Sequence, residues 1–380
     1  MRRATAVHEP NWRPAIEAAL VMAIGMGFGR FAFTAIYPHM VEENLLSLRD
    51  GSLAASANYA GYLLGALLAF RLRARTAHRL CLWASAGTAA CLAVLGAVES
   101  VAIILAVRGL AGVFSALAIV AASLWLLERQ QQMHRAPLLY AGVGLGIALS
   151  SELLAAGAGA GLDSKALWLL LGAVSAAMSA AIAPGLLSGA APGRTTRLAA
   201  AQTPPPVRPG PLVAIYGLAG FGYIITATYL PLLARAALPE LDAAHVWAVF
   251  GLGAAPSCFL WHRLHMRLGT RSALATNLGA QALGVMLPVA AHHAAAYLLS
   301  ALLVGGTFMG TVTIAMPAAR LADQARGNLM AAMTLVYGIG QIVGPMAANA
   351  LFAVNGTLDG SLWAAGAALL AGVAISLRRL

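Results

Sequence analysis

Long apolar runs alternate with short polar ones along nearly the whole chain. Stretches long enough to cross a bilayer as helices, at about 20 residues each, lie at 14–41, 51–70, 80–98, 101–127, 137–160 and 165–187. Six more follow at 211–235, 242–262, 272–291, 294–319, 327–353 and 360–377. The pattern predicts an all-α integral membrane protein of twelve transmembrane helices in two six-helix bundles, 1–187 and 211–380. Residues 188–210 contain Pro204, Pro205, Pro206 and three arginines, and read as an extended cytoplasmic linker.

The basic residues give this alternation a direction. Of 24 Lys and Arg, 19 fall in seven polar segments that alternate around the apolar stretches, and only Arg49, Lys165 and Arg235 fall on the other side. Basic loops stay cytoplasmic, so both termini are expected to face the cytoplasm. The polar start, Met1 to Pro14, runs into a long apolar span with no small-residue cleavage pattern near its end, so that span reads as the first membrane helix.

Composition narrows the function classes. The chain is 60% hydrophobic and 10% charged, too apolar for a soluble domain of 380 residues. Its net charge of +11 resides mainly in loops that meet anionic lipid headgroups, which removes the argument for nucleic acid. Cys81, Cys91 and Cys258 lie inside apolar spans without CxxC spacing and read as small core residues. His292 and His293 read as an outer loop, and His262 and His265 as a cytoplasmic one. No HExxH or Ser/His/Asp arrangement appears, and the paired acids Glu42 and Glu43 fall outside the core. No enzyme activity, cofactor or metal is expected.

An internal repeat supports the division into halves. GFGRFAFTAIYP (Gly27 to Pro38) aligns without gaps onto GFGYIITATYLP (Gly220 to Pro231) at an offset of 193, with Gly, Phe, Gly and Pro coinciding. Gly61/Gly65, Gly306/Gly310 and Gly340/Gly344 are small-xxx-small pairs of the kind that let helices approach in lipid.

These segments resemble the major facilitator superfamily, and more closely its bacterial YbfB/YjiJ-type branch. The resembling stretches are Gly27 to Met40, Ser56 to Leu67, Tyr216 to Pro231 and Tyr337 to Pro345, with Arg108 and Gly112 similar to the superfamily's Arg-xxx-Gly motif. The resemblance implies twelve helices, with 1, 4, 7 and 10 lining a central cavity, alternating access, and Arg108 beside that cavity near the proton-coupling machinery. It also shows departures. The acid of the loop motif between helices 2 and 3 and between 8 and 9 is missing, and Met266 occupies its second position. Asp323 is the nearest replacement by topology. Helix 5 lacks the Gly-Pro element of many drug/proton antiporters.

Arg30 and Arg108 remain inside the apolar spans, where an ionised side chain costs about 2.5–3.5 kcal/mol. Counted at about 1.5 Å per residue, Arg30, Arg108 and Glu152 lie at a similar level. Two cations against one acid leave room for an anion, which Arg binds bidentately. Thr34 and Tyr37 share the helix face of Arg30, and Tyr223 occupies its repeat position. Asn58 with Tyr62, and Tyr337 with Gln341, are i, i+4 pairs that either complete the lining or bond neighbouring helices. Tyr229, Trp125 and Trp247 read as packing or interfacial residues. Glu152, with Arg108, is the candidate proton-coupling group; a paired structural Glu would look the same in sequence.

The reading that results is a monomeric secondary active transporter of the bacterial inner membrane, moving a small organic solute, an anion by its charge, with proton coupling. Proton-coupled drug efflux and a non-transporting membrane sensor or enzyme stand as alternatives.

Overall fold

The computed structural model describes residues 12–69, 72–188, 207–322 and 329–380. Most of the predicted linker, and Asp323, lie outside those residues. The described chain is helical throughout, without strands. In order it forms α1 (Arg13–Glu42), α2 (Leu48–Ala69), α3 (Ala77–Leu95), α4 (Val101–Arg129), α5 (Met133–Gly159) and α6 (Ser164–Leu187). After residue 206 come α7 (Pro209–Ala237), α8 (243–268), α9 (270–290), α10 (Ala294–Ala322), α11 (Leu329–Asn355) and α12 (Asp359–Arg379). Among the described residues ten helical stretches are long and apolar enough to cross a membrane, with Ala243–Ala290 counted as one and α2, expected as a span, not among them.

That 48-residue stretch differs from expectation. The predicted polar loop between its two spans is helical on both sides of a single break at Gly269, whose φ of 73° suits glycine. His262 and His265 therefore sit on α8, not in a loop. His265 is buried, and its Nε2 meets Thr270 Oγ1 at 2.9 Å across the break, so a residue expected to be solvated closes a helical corner.

Helix ends follow local chemistry. Asp163 caps α6 by accepting from the Ala166 N–H, and Asp242 caps α8 through the Ala244 N–H. The interior is assembled through glycines. A Cβ at Gly61 would lie 1.8 Å from the Gly109 carbonyl oxygen, and one at Gly112 would lie 2.0 Å from that of Asn58, so α2 and α4 touch backbone to backbone. The same two crossings recur between α8 and α10, with Gly253 against the Leu302 carbonyl and Gly305 against that of Phe250. Glycines also join the two halves where Gly144 of α5 meets Gly251 of α8.

The face at the start of α1 is here the terminal face, and the face at its end, where Glu42 meets Arg235 near the end of α7, the distal face. Polar bonds between the halves concentrate toward the distal face. Thr34 Oγ1 donates to the Ala227 carbonyl at 2.8 Å, Trp247 Nε1 to that of Phe31 at 2.9 Å, and Ser56 Oγ to that of Ile342 at 2.9 Å. Ser52 and Tyr229 join hydroxyls at 2.6 Å, and Arg235 holds Glu42 through two bonds of 2.7 and 3.2 Å. Two of these contacts, Thr34 to Ala227 and Glu42 to Arg235, link residues 193 apart, the offset of the sequence repeat. Equivalent positions of α1 and α7 thus meet each other.

Candidate functional site

The site begins with an irregularity in α1. Residues Ala23–Phe31 form a π-helical segment, wider than the α-helix on either side. Such a segment disturbs the i→i−4 ladder and leaves carbonyls near its end looking for donors. Arg108 of α4 supplies them, Nη1 donating to the Gly29 carbonyl at 3.1 Å and Nη2 to the Arg30 carbonyl at 3.3 Å. Its guanidinium lies 4.4 Å from the Phe33 ring, and Asn58 Nδ2 donates to its backbone carbonyl at 2.9 Å. Arg108 is 1% exposed. It fastens α1 to α4 and does not reach the central cavity.

Arg30 does reach it. Its guanidinium carbon lies 4.2 Å from the Tyr62 ring centre, 5.0 Å from Tyr59 and 5.3 Å from Phe31, within cation–π range. Nε is buried with no hydrogen-bond partner, and no described carboxylate pairs with the group. The cavity in front of it, about 180 Å³, is lined from the first half by Met26, Arg30, Tyr62 and Tyr140, and from the second by Tyr216, Tyr223, Phe308, Tyr337 and Gln341, among others. Among the described residues Arg30 is the one charged residue of that wall. Tyr223 stacks between Phe308 and Tyr337, with ring centres 5.6 and 5.8 Å apart, and its hydroxyl accepts from Gln341 Nε2.

A second hollow, about 580 Å³, lies toward the terminal face. Met133, His134, Cys258, His262 and Met330 line it, and it shares Tyr140, Met309, Val312 and Met316 with the cavity. The molecule is therefore hollow on the terminal side of Arg30 and closed by polar bonds on the distal side.

The sequence candidates divide accordingly. Arg30, Tyr62, Tyr223, Tyr337 and Gln341 meet in the cavity wall. Thr34 and Tyr37 belong to the distal closure instead, Thr34 on Ala227 and Tyr37 donating to the Leu48 carbonyl at 3.2 Å. Asn58 and Arg108 form the buried clasp beneath. Glu152 does not join the arginines: its half-exposed carboxylate meets His245 Nδ1 of α8 at 2.9 Å. Of the residues read as packing, Trp247 and Tyr229 bond across the distal closure, while Trp125 is buried without a partner for its indole N–H. Sequence reasoning missed Tyr59, Tyr140, Tyr216 and Phe308. Tyrosine in an apolar span is itself a signal, since a phenol in hydrocarbon seeks a polar partner.

Repeated helix crossings, a closed distal side and a hollow reaching Arg30 are features that a membrane transporter needs. The family described as "Uncharacterised MFS-type transporter YbfB" matches residues 22–377, and the chain belongs to that family of major facilitator superfamily transporters. It is a multi-pass membrane protein. No curated protein matches the chain by sequence.

Proposed function

We propose that the chain is a secondary active transporter of a small organic anion, working by alternating access. Twelve helices would form two pseudo-symmetric bundles, 1–187 and 211–380, joined by 188–210. Its place would be the bacterial inner membrane with both termini in the cytoplasm, which the basic loops favour. In this reading the terminal-side hollow is the cytoplasmic vestibule, and the distal bonds must break for the outward-facing state. Catalysis forms no part of it.

One observation carries the anion assignment: among the described residues Arg30 is the lone charge of the cavity wall and has no acid to neutralise it. A cation so placed is costly unless a ligand pairs with it, and a carboxylate on an Arg edge makes charge-assisted, bidentate bonds. Export of cationic drugs would place an acid there, so it is the weaker reading. The test is uptake of organic anions into liposomes under a pH gradient. Arg30→Gln is expected to lower it about 100-fold with the fold intact, as loss of about 2–3 kcal/mol of charge-assisted binding requires. Normal uptake by that variant would remove the anion model.

Proton coupling falls to Glu152 with His245, an imidazole–carboxylate pair between α5 and α8 that joins the halves. Glu152→Gln is expected to abolish pH-driven accumulation while leaving exchange of substrate for substrate. Persistence of pH-driven accumulation would assign the proton elsewhere.

A further inference from the structure

We infer that the cavity at Arg30 is built for an aromatic monocarboxylate, with the carboxylate on the edge of the Arg30 guanidinium and the ring among the aromatic side chains of the two halves. This deepens the transport reading above and rests on it. The first argument is a charge count. Arg108, the other deep cation, donates to the Gly29 and Arg30 carbonyls and lies against Phe33; its Nε is also without a partner, but the residue does not line the cavity. Among the described residues one cation therefore serves the cavity, and its wall contains no second charge. A monoanion leaves the complex neutral, whereas a dianion would leave one carboxylate unpaired among apolar side chains.

The second argument is the shape of the cation's surroundings. Tyr62 and Tyr59 lie 4.2 and 5.0 Å from its centre, so aromatic rings already shield the guanidinium, while its buried Nε has no hydrogen-bond partner and the residue lines the cavity. An edge approach is the one that a planar carboxylate uses. The third argument is the body of the ligand. Beyond Arg30 the wall is Tyr223 stacked on Phe308 and Tyr337, with methionines and aliphatic side chains toward the vestibule. Such a wall rewards a flat apolar ring. A polyhydroxylated acid would need a partner for each hydroxyl, and the wall offers phenols, Thr334 and the Gln341 amide alone. The space of about 180 Å³ directly in front of Arg30 accommodates a single ring, and it adjoins the larger terminal-side hollow through Tyr140, Met309, Val312 and Met316.

The test is thermal stabilisation of the full chain, purified in detergent, by benzoate, acetate, cyclohexanecarboxylate, succinate, gluconate and tetraphenylphosphonium, followed by exchange of labelled benzoate in liposomes. Benzoate is expected to stabilise and to exchange, at about tenfold lower concentration than acetate or cyclohexanecarboxylate, the factor an aromatic contact supplies. Succinate and gluconate should do neither. Arg30→Gln should remove the benzoate effect, and Tyr62→Leu should narrow the benzoate-to-acetate ratio about tenfold. If Tyr62→Leu fails to fold, the comparison of benzoate with cyclohexanecarboxylate on the unaltered protein makes the same distinction. Stabilisation by succinate or gluconate equal to that by benzoate would overturn the aromatic class and leave the organic-anion reading standing. A response to tetraphenylphosphonium with none to any carboxylate would overturn both. No response to millimolar benzoate from folded protein would overturn the class.

Discussion

The two halves build the same frame and fill it with opposite chemistry. In the first half the crossing of α2 and α4 carries Asn58 and Arg108, with Arg30 opposite on α1. In the second, the crossing of α8 and α10 recurs glycine for glycine, at offsets of 192 for α2 onto α8 and 193 for α4 onto α10. The positions corresponding to Arg30, Asn58 and Arg108 are then Tyr223, Phe250 and Ala301. Three polar residues become two aromatic rings and a methyl group. Phe250 stacks on Trp247 at 4.1 Å and on Phe308 at 5.4 Å, where its counterpart Asn58 bonds a backbone carbonyl. The backbone follows suit: α1 has the π-helical segment and α7 is α-helical throughout. The widened segment goes with the cation, because Arg108 needs acceptors in an apolar core and the disturbed ladder of α1 presents them. The crossing recurs in both halves; the charge of the cavity wall, among the described residues, comes from the first alone.

The frame can be broken most severely at its crossings. Gly112→Val and Gly305→Val would each drive a side chain into backbone, since even a Cβ would lie 2.0 or 2.1 Å from a carbonyl oxygen. Helices must separate, and each change is expected to cost about 4 kcal/mol or more. The comparison predicts similar losses in both halves, read as thermal midpoints or as resistance to unfolding in mixed detergent. Tolerance of one change and failure of the other would mean that the crossings are not equivalent.

Filling the frame differently should matter less. Arg108→Leu leaves the Gly29 and Arg30 carbonyls without donors but also removes a buried charge, for a net loss of about 2–4 kcal/mol. Arg30→Leu removes a buried cation that has ring contacts but no described carboxylate, so relief of its desolvation offsets the lost ring contacts and stability should change by less than about 1 kcal/mol while anion binding is lost. Equal destabilisation by the two would show that Arg30 is structural, and the division between a clasp and a ligand-facing cation would fall.

How much of this could be read from the sequence depends on what a helical wheel knows. Spans, repeat and the isolation of Arg30 and Arg108 follow from hydropathy and spacing, and the helices match them closely at every span but the one broken at Gly269. There the loop's polarity suggested solvent, yet a helix can run through polar residues at a membrane edge. A wheel places Thr34 on the face of Arg30 but says nothing of height: one turn further along, α1 meets α7 and the space closes, so Thr34 bonds Ala227 instead of a ligand. Depth misled for Glu152 in the complementary way, since rise along the axis cannot say which neighbour a side chain faces. The π-helical segment has no residue signature that spacing could reveal.

Thr34 offers a finer test of the distal closure. Thr34→Val keeps the shape and deletes one hydrogen bond between the halves, worth about 1 kcal/mol. The population open on the distal side should rise about fivefold, read by the distance between spin labels on the distal ends of α1 and α7. An unaltered distribution would mean that the bond does not hold the closed state.

The smallest effect is expected at Glu42 and Arg235, and it bears most directly on the symmetry. Both side chains are exposed, 46% and 37%, so the pair contributes only about 0.2–1 kcal/mol and is screened by salt. Arg235→Gln should therefore raise the distally open population about 1.5- to 5-fold, and Arg235→Glu somewhat more through repulsion of Glu42, effects that fade at high ionic strength. Because the two residues occupy equivalent positions of the repeat, exchanging them, Glu42→Arg with Arg235→Glu, places each charge where its counterpart stood and should restore the closed population. A pair in unrelated surroundings would not survive the exchange. Failure of the double variant to recover would mean that the distal ends of α1 and α7 have drifted apart in environment as far as Arg30 and Tyr223 have in chemistry, and that equivalence ends with the backbone.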